Sequence, residues 1–246
     1  MSKTLILIPS RMSAARLPGK PLLKINDLSI ISHVVNKAKR SKIGRVVVCT
    51  EDQSILDDVI KNGGEAILTG NHHKSGTDRI FEGFTKLNIK DVDYILNVQG
   101  DEPSINEEDI VNLNDMMIKS NSSIGTLGAE INDKNFFLDE NIVKVTTNEK
   151  LDNKNYSLAL SFNRNYINKE YKNVYHHIGI YAYKVAALKK FVNLDQTKNE
   201  IENRLEQLRA LDNNLEIHVG MAKTSPIGID TKEDYLALKK IMEYKS

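Results

Sequence analysis

Apolar residues along the first half of the chain follow two alternating patterns, one typical of buried strands and one typical of amphipathic helices. Short apolar, β-branched runs predict the strands Leu5–Ile8, Arg45–Thr50, Ala66–Leu68 and Tyr94–Val98. Apolar positions three and four residues apart predict helices at Leu28–Arg40, around Ile55–Ile60, at Thr77–Leu87 and after Asn106. Strands that alternate with helices of this length indicate an α/β protein with a mainly parallel sheet covered on both faces.

The middle of the chain, from about 125 to 183, has a different pattern. Several β-like runs lie there between turn-rich spacers, which predicts an inserted β-rich lobe with antiparallel-leaning strands that extends the sheet. The C-terminal part returns to a mixed pattern, with helices predicted at 185–192, 199–211 and 231–244 and a strand at 216–221. No internal repeat or low-complexity linker interrupts the chain, so we expect residues 1–246 to form one domain with that lobe inserted.

Charge and composition narrow the classes of partner. The chain has 34 Lys and Arg residues against 33 Asp and Glu, and it has no basic stripe with interleaved aromatic residues, so nucleic acid is not an expected partner. No apolar run approaches the ~20 residues of a membrane span. The N-terminus passes directly into a predicted strand with no visible signal peptide, so we expect a soluble cytoplasmic protein. The single cysteine, Cys49, lies in an apolar run and is expected to be buried.

The first predicted strand leads into a basic loop. Arg11, Arg16 and Lys20 lie in this loop, two prolines and a glycine shape it, and no acidic residue occurs before Asp27. Backbone N–H groups and cations in such a loop are suited to hold a polyphosphate. The alternative is a solvated basic surface loop, but the regular spacing of the cations and the rigid Leu-Pro-Gly-Lys turn favour phosphate binding.

Two aspartates occupy positions where a metal shared with phosphate is expected. Asp101 follows the strand Tyr94–Val98, and Asp230 precedes the last predicted helix. Ligands of an open parallel sheet bind beyond the carboxyl ends of its strands, and Mg²⁺ takes one or two protein carboxylates together with substrate oxygens. We therefore predict that these aspartates bind Mg²⁺. The alternatives are a turn residue for Asp101 and a helix N-cap for Asp230, with Glu233 completing a capping box.

A further polar segment, His-His-Lys-Ser-Gly-Thr-Asp-Arg, precedes the third predicted helix. The adjacent residues His72 and His73 suggest a metal site, but they lack the spacing of a typical zinc motif. The Ser75-Gly76 pair before the helix fits a polar loop that approaches a base or a ribose better, and we favour that interpretation.

Six motifs occur in order along nearly the whole chain: Ile-Pro-Ser-Arg-x4-Arg-Leu-Pro-Gly-Lys-Pro-Leu, Ser-Gly-Thr-Asp-Arg, Asn-Val-Gln-Gly-Asp-Glu-Pro, His-Ile-Gly-Ile-Tyr, Leu-Glu-Gln-Leu-Arg and Gly-Ile-Asp-Thr-Lys-Glu-Asp. Together they resemble the 3-deoxy-manno-octulosonate (Kdo) cytidylyltransferases, also called CMP-Kdo synthetases. The resemblance implies a three-layer, Rossmann-like and GT-A-like nucleotidyltransferase fold with a mixed sheet. It also implies a homodimer that uses Mg²⁺ to transfer CMP from CTP to the anomeric hydroxyl of Kdo, an acidic eight-carbon sugar, for lipopolysaccharide synthesis.

The resemblance also implies roles for individual residues. The expected nucleotide contacts are Pro9, Arg11, Arg16, Lys20, Ser75, Gly76 and Gln99, and the expected catalytic residues are Arg11, Lys20 and Asp101. The expected contacts to the sugar acid are Arg164, His177, Tyr181, Glu206 and Gln207. Taken alone, His177 could instead be a satisfied strand histidine, and Glu206 and Gln207 could lie on a solvated helix face.

The sequence departs from the family pattern in two places near the implied sugar pocket. Asn163 stands where the family commonly has Ser, and the segment Asn199–Arg204 differs from the usual acidic and apolar run. These differences leave the reaction type unchanged, but they leave an 8-amino analogue of Kdo or another sugar acid as an alternative acceptor. A nucleotide-sugar-binding protein that has lost catalysis is the alternative of a different class, which intact Arg11, Lys20, Asp101 and Asp230 disfavour.

Overall fold

Strands and helices alternate through most of the chain in a computed structural model that describes residues 3–13, 16–152, 155–165, 172–226 and 228–244. The strands are β1 (Thr4–Ser10), β2 (Lys24–Ile25), β3 (Leu28–Ser29), β4 (Gly44–Thr50), β5 (Ala66–Leu68), β6 (Tyr94–Asn97), β7 (Ile124–Ala129), β8 (Lys144–Thr147), β9 (Ser157–Asn163), β10 (Val174–Lys184) and β11 (Ile217–Met221). The α-helices are α1 (Ile30–Arg40), α2 (Gln53–Lys61), α3 (Gly76–Leu87), α4 (Glu107–Ser120), α5 (Val185–Val192), α6 (Lys198–Asn203), α7 (Leu208–Asp212) and α8 (Lys232–Tyr244). Short 3-10 helices lie at Lys20–Leu22 and Lys134–Phe137. The predicted α/β class is therefore confirmed.

The chain divides into two units, of which the first comprises Met1–Ile110 and Pro226–Ser246. Its strands lie in the order β5, β4, β1 and β6, and each neighbouring pair is parallel. Every residue of β1 is buried, as expected for the central strand of a sheet that is covered on both faces. Because the strands are parallel, their carboxyl ends meet at one edge, and the loops that follow β1 and β6 begin there.

Helix α1 begins two residues later than the sequence pattern predicted. Leu28 and Ser29 pair with Ile25 and Lys24 in a two-stranded antiparallel ribbon, so they are not helical. The Ser29 hydroxyl accepts a hydrogen bond from the amide of Ser32 and thereby caps the helix. The polar residue before the apolar run therefore marks where α1 begins.

Cys49 lies on β4 and is fully buried, as predicted, and burial raises the pKa of its thiol to about 12. Helix α3 packs directly on it, because a Cβ atom at Gly83 would lie only 2.3 Å from the Cys49 sulfur. A glycine is therefore required at the point where this helix crosses the strand.

The second unit, Val111–Ser225, contains the whole of the predicted β-rich lobe. Its strands lie in the order β10, β7, β11, β9 and β8, and β8 also pairs with β10, so that the five strands close on themselves. The pairs are antiparallel except for β7 with β11. This mixture explains the antiparallel character of the sequence pattern in the middle of the chain.

One helix that the sequence predicted, at 199–211, is two helices in the structure. Arg204 ends α6 with a φ of 53°, in the left-handed region, and α7 begins only at Leu208. The prediction of one continuous helix was wrong because a left-handed arginine has no clear signal in helix propensity.

Within the described residues, no helix combines the length and apolar character that a membrane crossing requires.

Candidate active site

Three of the predicted nucleotide motifs meet at the carboxyl ends of β1 and β6. A Cβ atom at Gly100 would lie 2.7 Å from the main-chain oxygen of Pro9, so the turn after β6 packs directly on the end of β1. A Cβ atom at Gly76 would lie 3.1 Å from the Pro9 ring. Ser75 caps α3 by accepting a hydrogen bond from the amide of Asp78. The structure therefore brings the Pro9, Ser75-Gly76 and Gln99-Gly100 segments together.

The basic loop after β1 turns back so that Lys20 points into this edge. The amide of Lys20 donates to the oxygen of Leu17, and Gly19 has φ 73° and ψ 5°, the conformation of the third residue in a type II turn. The amide of Gly19 donates to the oxygen of Met12, and the amide of Met12 donates to the Asp52 carboxylate at 2.7 Å. These bonds fix the loop at both ends and explain the Leu-Pro-Gly-Lys sequence.

Lys20 brings together the two aspartates that the sequence singled out. Its buried Nζ donates to Oδ2 of Asp101 at 2.7 Å and lies 3.7 Å from Oδ1 of Asp230. It also donates to the main-chain oxygen of Ile229. Arg16 forms a second ion pair with Asp230, with 2.9 Å between Nη2 and Oδ2. The predicted proximity of the basic loop to both carboxylates is thus present, whereas the Arg11 side chain lies exposed just beyond β1.

Asp230 is not the N-cap of α8. Thr231 accepts a hydrogen bond from the amide of Asp234 through its hydroxyl, and the Asp234 carboxylate accepts from the amides of Thr231 and Asp230 at 2.8 and 3.1 Å. The capping box is therefore formed by Thr231 and Asp234, and the alternative with Asp230 and Glu233 is wrong. The capping residue lies one position later than that alternative assumed, so the Asp230 carboxylate is directed at Arg16 and Lys20.

A third carboxyl group, that of Glu102, lies beside the pair and was not among the predicted site residues. Burial and the neighbouring charges of Asp101 and Asp230 raise the pKa of Glu102 to about 8, against the opposing effect of Lys20. Among the described residues, Oε2 of Glu102 has no hydrogen-bond partner. Carboxyl oxygens of this kind are the ligands of hard divalent cations, so Asp101 and Asp230 could hold such an ion.

Two further buried polar atoms at the same strand ends lack a hydrogen-bond partner within the part of the chain that the structure describes. They are the hydroxyl oxygen of Ser10 at the end of β1 and Oδ1 of Asn97 at the end of β6. Buried polar groups in proteins are nearly always hydrogen-bonded. Their position next to the motifs above therefore marks this edge as one that a polar ligand or water completes.

The predicted sugar residues lie in the second unit, where His177 and Tyr181 form a hydrogen-bonded cluster. Nε2 of His177 lies 2.9 Å from the Tyr181 hydroxyl and 3.1 Å from the Thr126 hydroxyl. A register shift in β10 between Ile178 and Tyr181 accompanies this contact. Burial and the adjacent His176 lower the pKa of His177 to about 3, so its imidazole is neutral at neutral pH. His177 therefore has the bonds of a satisfied strand histidine, and a contact to sugar remains a prediction.

Arg164 follows β9, and main-chain oxygens hold its guanidinium group. Nε donates to the oxygen of Asn203 and Nη1 to that of Glu140, both at 3.2 Å. The buried Lys144 donates to the main-chain oxygens of Arg164 and Asp139, at 2.7 and 2.5 Å. Burial lowers the pKa of Lys144. Lys144 therefore holds the main chain of Arg164. It also holds the main chain of Asp139, next to the Glu140 oxygen that the Arg164 side chain contacts.

Glu206 and Gln207 lie in the turn between α6 and α7. Gln207 is buried, so for this residue the alternative of a solvated helix face is wrong. Burial raises the pKa of Tyr181 well above its ordinary value, and the nearby charges of Tyr183 and Glu206 add to this effect. Glu206 therefore lies within electrostatic range of the His177 and Tyr181 cluster.

A buried ion pair fixes the turn that presents these two residues. Arg209, at the end of the Leu-Glu-Gln-Leu-Arg motif, donates from Nε and Nη2 to the Glu200 carboxylate at 2.9 and 2.6 Å. Its guanidinium group lies 4.8 Å from the centre of the Phe191 ring. This pair joins α6 to α7, which gives the arginine of that motif a structural role that the sequence did not indicate.

Comparison with known proteins finds relatives that match nearly the whole chain. Residues 5–217 match the family model described as cytidylyltransferase. The chain is 43% identical to the 3-deoxy-manno-octulosonate cytidylyltransferase of Thermodesulfovibrio yellowstonii, an alignment that covers 97% of this chain and 98% of that protein. It is 41% identical to the protein of the same name from Bartonella henselae, with the same coverage of both chains.

Solved structures agree with this assignment. A CMP:2-keto-3-deoxy-manno-octonic acid synthetase complexed with CTP superposes with a TM-score of 0.89 at 32% identity, over 100% of both chains. A cytidylyltransferase from Leptospira borgpetersenii superposes with a TM-score of 0.64 at 20% identity, over 99% of this chain and 88% of that one, and it supports the fold alone.

Proposed function

The chain belongs to the cytidylyltransferase family, and from this premise we propose that it transfers CMP from CTP to the anomeric hydroxyl of Kdo and releases pyrophosphate. The observation that carries the proposal is the convergence of Lys20, Asp101 and Asp230 beside the strand-end loops. This convergence occurs in a chain that matches Kdo cytidylyltransferases over nearly its whole length. The names of these relatives favour Kdo over an 8-amino analogue as the acceptor.

In this proposal, the basic loop binds the triphosphate. Arg11 and Lys20 neutralise the negative charge on the phosphates as the bond to pyrophosphate breaks, and Arg16 adds positive charge nearby. The sugar oxygen forms its new bond to the α-phosphorus on the side opposite the departing pyrophosphate, and the hydroxyl proton passes to solvent. Pro9, Ser75, Gly76 and Gln99 line the cytosine and ribose. Most of the rate acceleration then comes from positioning and charge stabilisation.

We propose Mg²⁺ as the cofactor, with Asp101 and Asp230 as its protein ligands. Support comes from the donors themselves, because two carboxylates lie within reach of one ammonium group beside a third, buried carboxyl group. When bound, Mg²⁺ would offset phosphate charge and lower the pKa of the attacking hydroxyl, so that no dedicated side-chain base is needed.

In the second unit, Arg164 is the proposed partner of the sugar carboxylate, since a guanidinium group binds a carboxylate through two parallel hydrogen bonds. His177 is neutral at neutral pH, so it would contribute a hydrogen bond rather than a charge. Tyr181, Glu206 and Gln207 would contact the sugar hydroxyls. The positive charge for the acidic substrate would then come from Arg164.

The resemblance further supports a homodimer that acts in the cytoplasm and supplies activated sugar for lipopolysaccharide synthesis. Size-exclusion chromatography with light scattering tests the homodimer directly. A monomer at the concentration of the activity assay would contradict that part of the proposal alone.

A pyrophosphate-release assay tests the function. The chain is incubated with CTP, Mg²⁺ and Kdo, beside reactions with the 8-amino analogue and with ATP, GTP or UTP. We expect CTP with Kdo to give the highest kcat/KM. Preference for the 8-amino analogue would overturn the assignment of the acceptor, and absence of turnover with every combination would indicate a protein that has lost catalysis.

A further inference from the structure

Two histidines and a glutamate form a cluster that is separate from Asp101 and Asp230. His72 and His73 lie in the loop between β5 and α3, and Glu82 lies on α3. One ligand atom from each residue lies within 4.8 Å of those of the other two. We propose that this cluster binds one first-row transition metal ion, with Zn²⁺ as the best fit and water as the remaining ligand. This inference does not depend on the proposed function.

Glu82 is held in place as a carboxylate. The amide of Gly70 donates to both of its oxygens at 2.9 and 3.2 Å, and Lys86 lies 2.6 Å from Oε1. These contacts hold the carboxylate in one position, with its Oε2 facing Nε2 of His73.

Both imidazoles are placed at this carboxylate by the fold. Nε2 of His73 contacts Oε2 of Glu82, and the His73 side chain is largely buried. The His72 and His73 ring centres are 4.4 Å apart. A Cβ atom at Gly70 would lie 2.5 Å from the His72 ring, so only a glycine lets this ring lie against the backbone whose amide holds Glu82. Contacts with Glu82 and with the backbone at Gly70 therefore position the two histidine rings.

The ligand types select the metal. Two imidazoles and one carboxylate, with water in a fourth position, are a known ligand set for zinc, whereas Mg²⁺ prefers oxygen ligands alone. With zinc bonds of about 2.0–2.1 Å, neighbouring ligand atoms in a tetrahedron lie roughly 3.3 Å apart. The contact between His73 and Glu82 would open, and His72 would move inward, by an adjustment that a loop accommodates.

The sequence alone did not indicate that Glu82 is the third ligand. Glu82 lies nine positions after His73, and it faces the loop only because α3 begins at Gly76 and runs back beside it. The two adjacent histidines alone lack the spacing of a typical zinc motif, and Glu82 completes the ligand set only in the folded chain. The metal would connect the loop before Ser75 to the second turn of α3.

Metal titration of the full chain tests this inference. Metal-stripped protein is titrated with Zn²⁺ in competition with a chromophoric chelator, in excess Mg²⁺, which competes for sites made of oxygen ligands alone. We expect one Zn²⁺ per chain, and at least about tenfold weaker binding in His73→Ala and in Glu82→Gln. The control is His33→Gln, because His33 is a partly buried imidazole that contacts the oxygen of Ile25, outside the cluster. This variant should bind Zn²⁺ like the wild type.

Cobalt provides a spectroscopic readout. Co²⁺ in place of Zn²⁺ should give the visible absorption of a four-coordinate site in the wild type, and His73→Ala should lose it. His72→Ala removes an exposed side chain and keeps the test valid if Glu82→Gln does not fold, as circular dichroism would reveal. Absence of stoichiometric Zn²⁺, or unchanged affinity in His72→Ala and His73→Ala, would overturn the inference. So would Zn²⁺ binding that is lost in Asp101→Asn and kept in His73→Ala.

Discussion

Lys20 and Asp101 form a close ion pair, with 2.7 Å between Nζ and Oδ2, although 81 residues separate them along the chain. The lysine side chain is 8% exposed and the aspartate side chain 39% exposed, so the ammonium is enclosed while the carboxylate faces an open edge. Lys20 therefore lies on the enclosed side of the proposed nucleotide site, where it is paired with Asp101.

Replacing Lys20 with Ala should lower kcat by more than about tenfold, because preorganised charge on the phosphates is lost in the transition state. The measurement is pyrophosphate release at saturating CTP and Kdo. Lys24→Ala is the matched control, since Lys24 is an exposed lysine a few residues further on. Near-normal turnover in folded Lys20→Ala would remove Lys20 from the mechanism.

The Asp230→Asn variant should need a higher Mg²⁺ concentration for half-maximal rate, because one ligand carboxylate becomes an amide. Asp234→Asn provides the comparison, since Asp234 accepts the capping hydrogen bonds of α8. That variant should lose about 1 kcal/mol of unfolding free energy and keep the Mg²⁺ dependence of the wild type. If the two variants exchange these effects, the assigned roles are reversed.

Arg164→Ala should raise the KM for Kdo much more than the KM for CTP, because the guanidinium group is the proposed partner of the sugar carboxylate. Arg164→Lys should recover only part of the loss, since an ammonium group lacks the planar fork. Initial rates measured while each substrate is varied in turn separate the two constants. Equal increases in both would argue against a contact with the sugar.

Lys144→Met should raise the KM for Kdo through Arg164 and also destabilise the fold. Its buried Nζ donates to two main-chain oxygens, one of them that of Arg164, and both would lose this donor. We expect a loss of about 1–3 kcal/mol in the free energy of unfolding, measured in urea. A purely structural role would leave the KM for Kdo unchanged in the variant that remains folded.

The stability of the protein should decline in acid because of His177. In the folded state its pKa is about 3, against an ordinary value of 6.5, so only the unfolded chain takes up this proton between those values. The free energy of unfolding should therefore be unaffected by His177 above about pH 6.5 and fall as the pH is lowered towards 3. His177→Gln should show a shallower decline in urea titrations between pH 7.5 and about 5. The same slope in both proteins would contradict the low pKa.

Much of the proposed nucleotide site could be predicted because strand ends and turn residues are local features. The strands at Leu5–Ile8 and Tyr94–Val98 placed the basic loop and Asp101 at one edge of a parallel sheet, and the Leu-Pro-Gly-Lys turn identified Lys20. The structure places these groups together as expected. Asp230 was identified by its position before the last helix. The residue that caps this helix, however, is Thr231, one position later.

What the sequence did not indicate depends on contacts between distant segments. Nothing local predicts that Glu102 is enclosed beside two other carboxyl groups, or that Lys144 lies beneath Arg164. The pairing of Glu200 with Arg209 required a break at Arg204, which adopts a left-handed conformation without being glycine. Such residues are positioned by tertiary packing, and their types alone are compatible with ordinary surface positions.

The enclosed thiol of Cys49 makes the chain well suited to site-directed labelling. It is the only cysteine in the sequence, it is fully buried beneath α3, and its pKa of about 12 leaves almost no thiolate at neutral pH. Maleimide and iodoacetamide reagents should therefore not modify the native protein. A single cysteine introduced at an exposed position, for example beside Arg164, could carry a fluorophore or spin label without prior removal of the natural one.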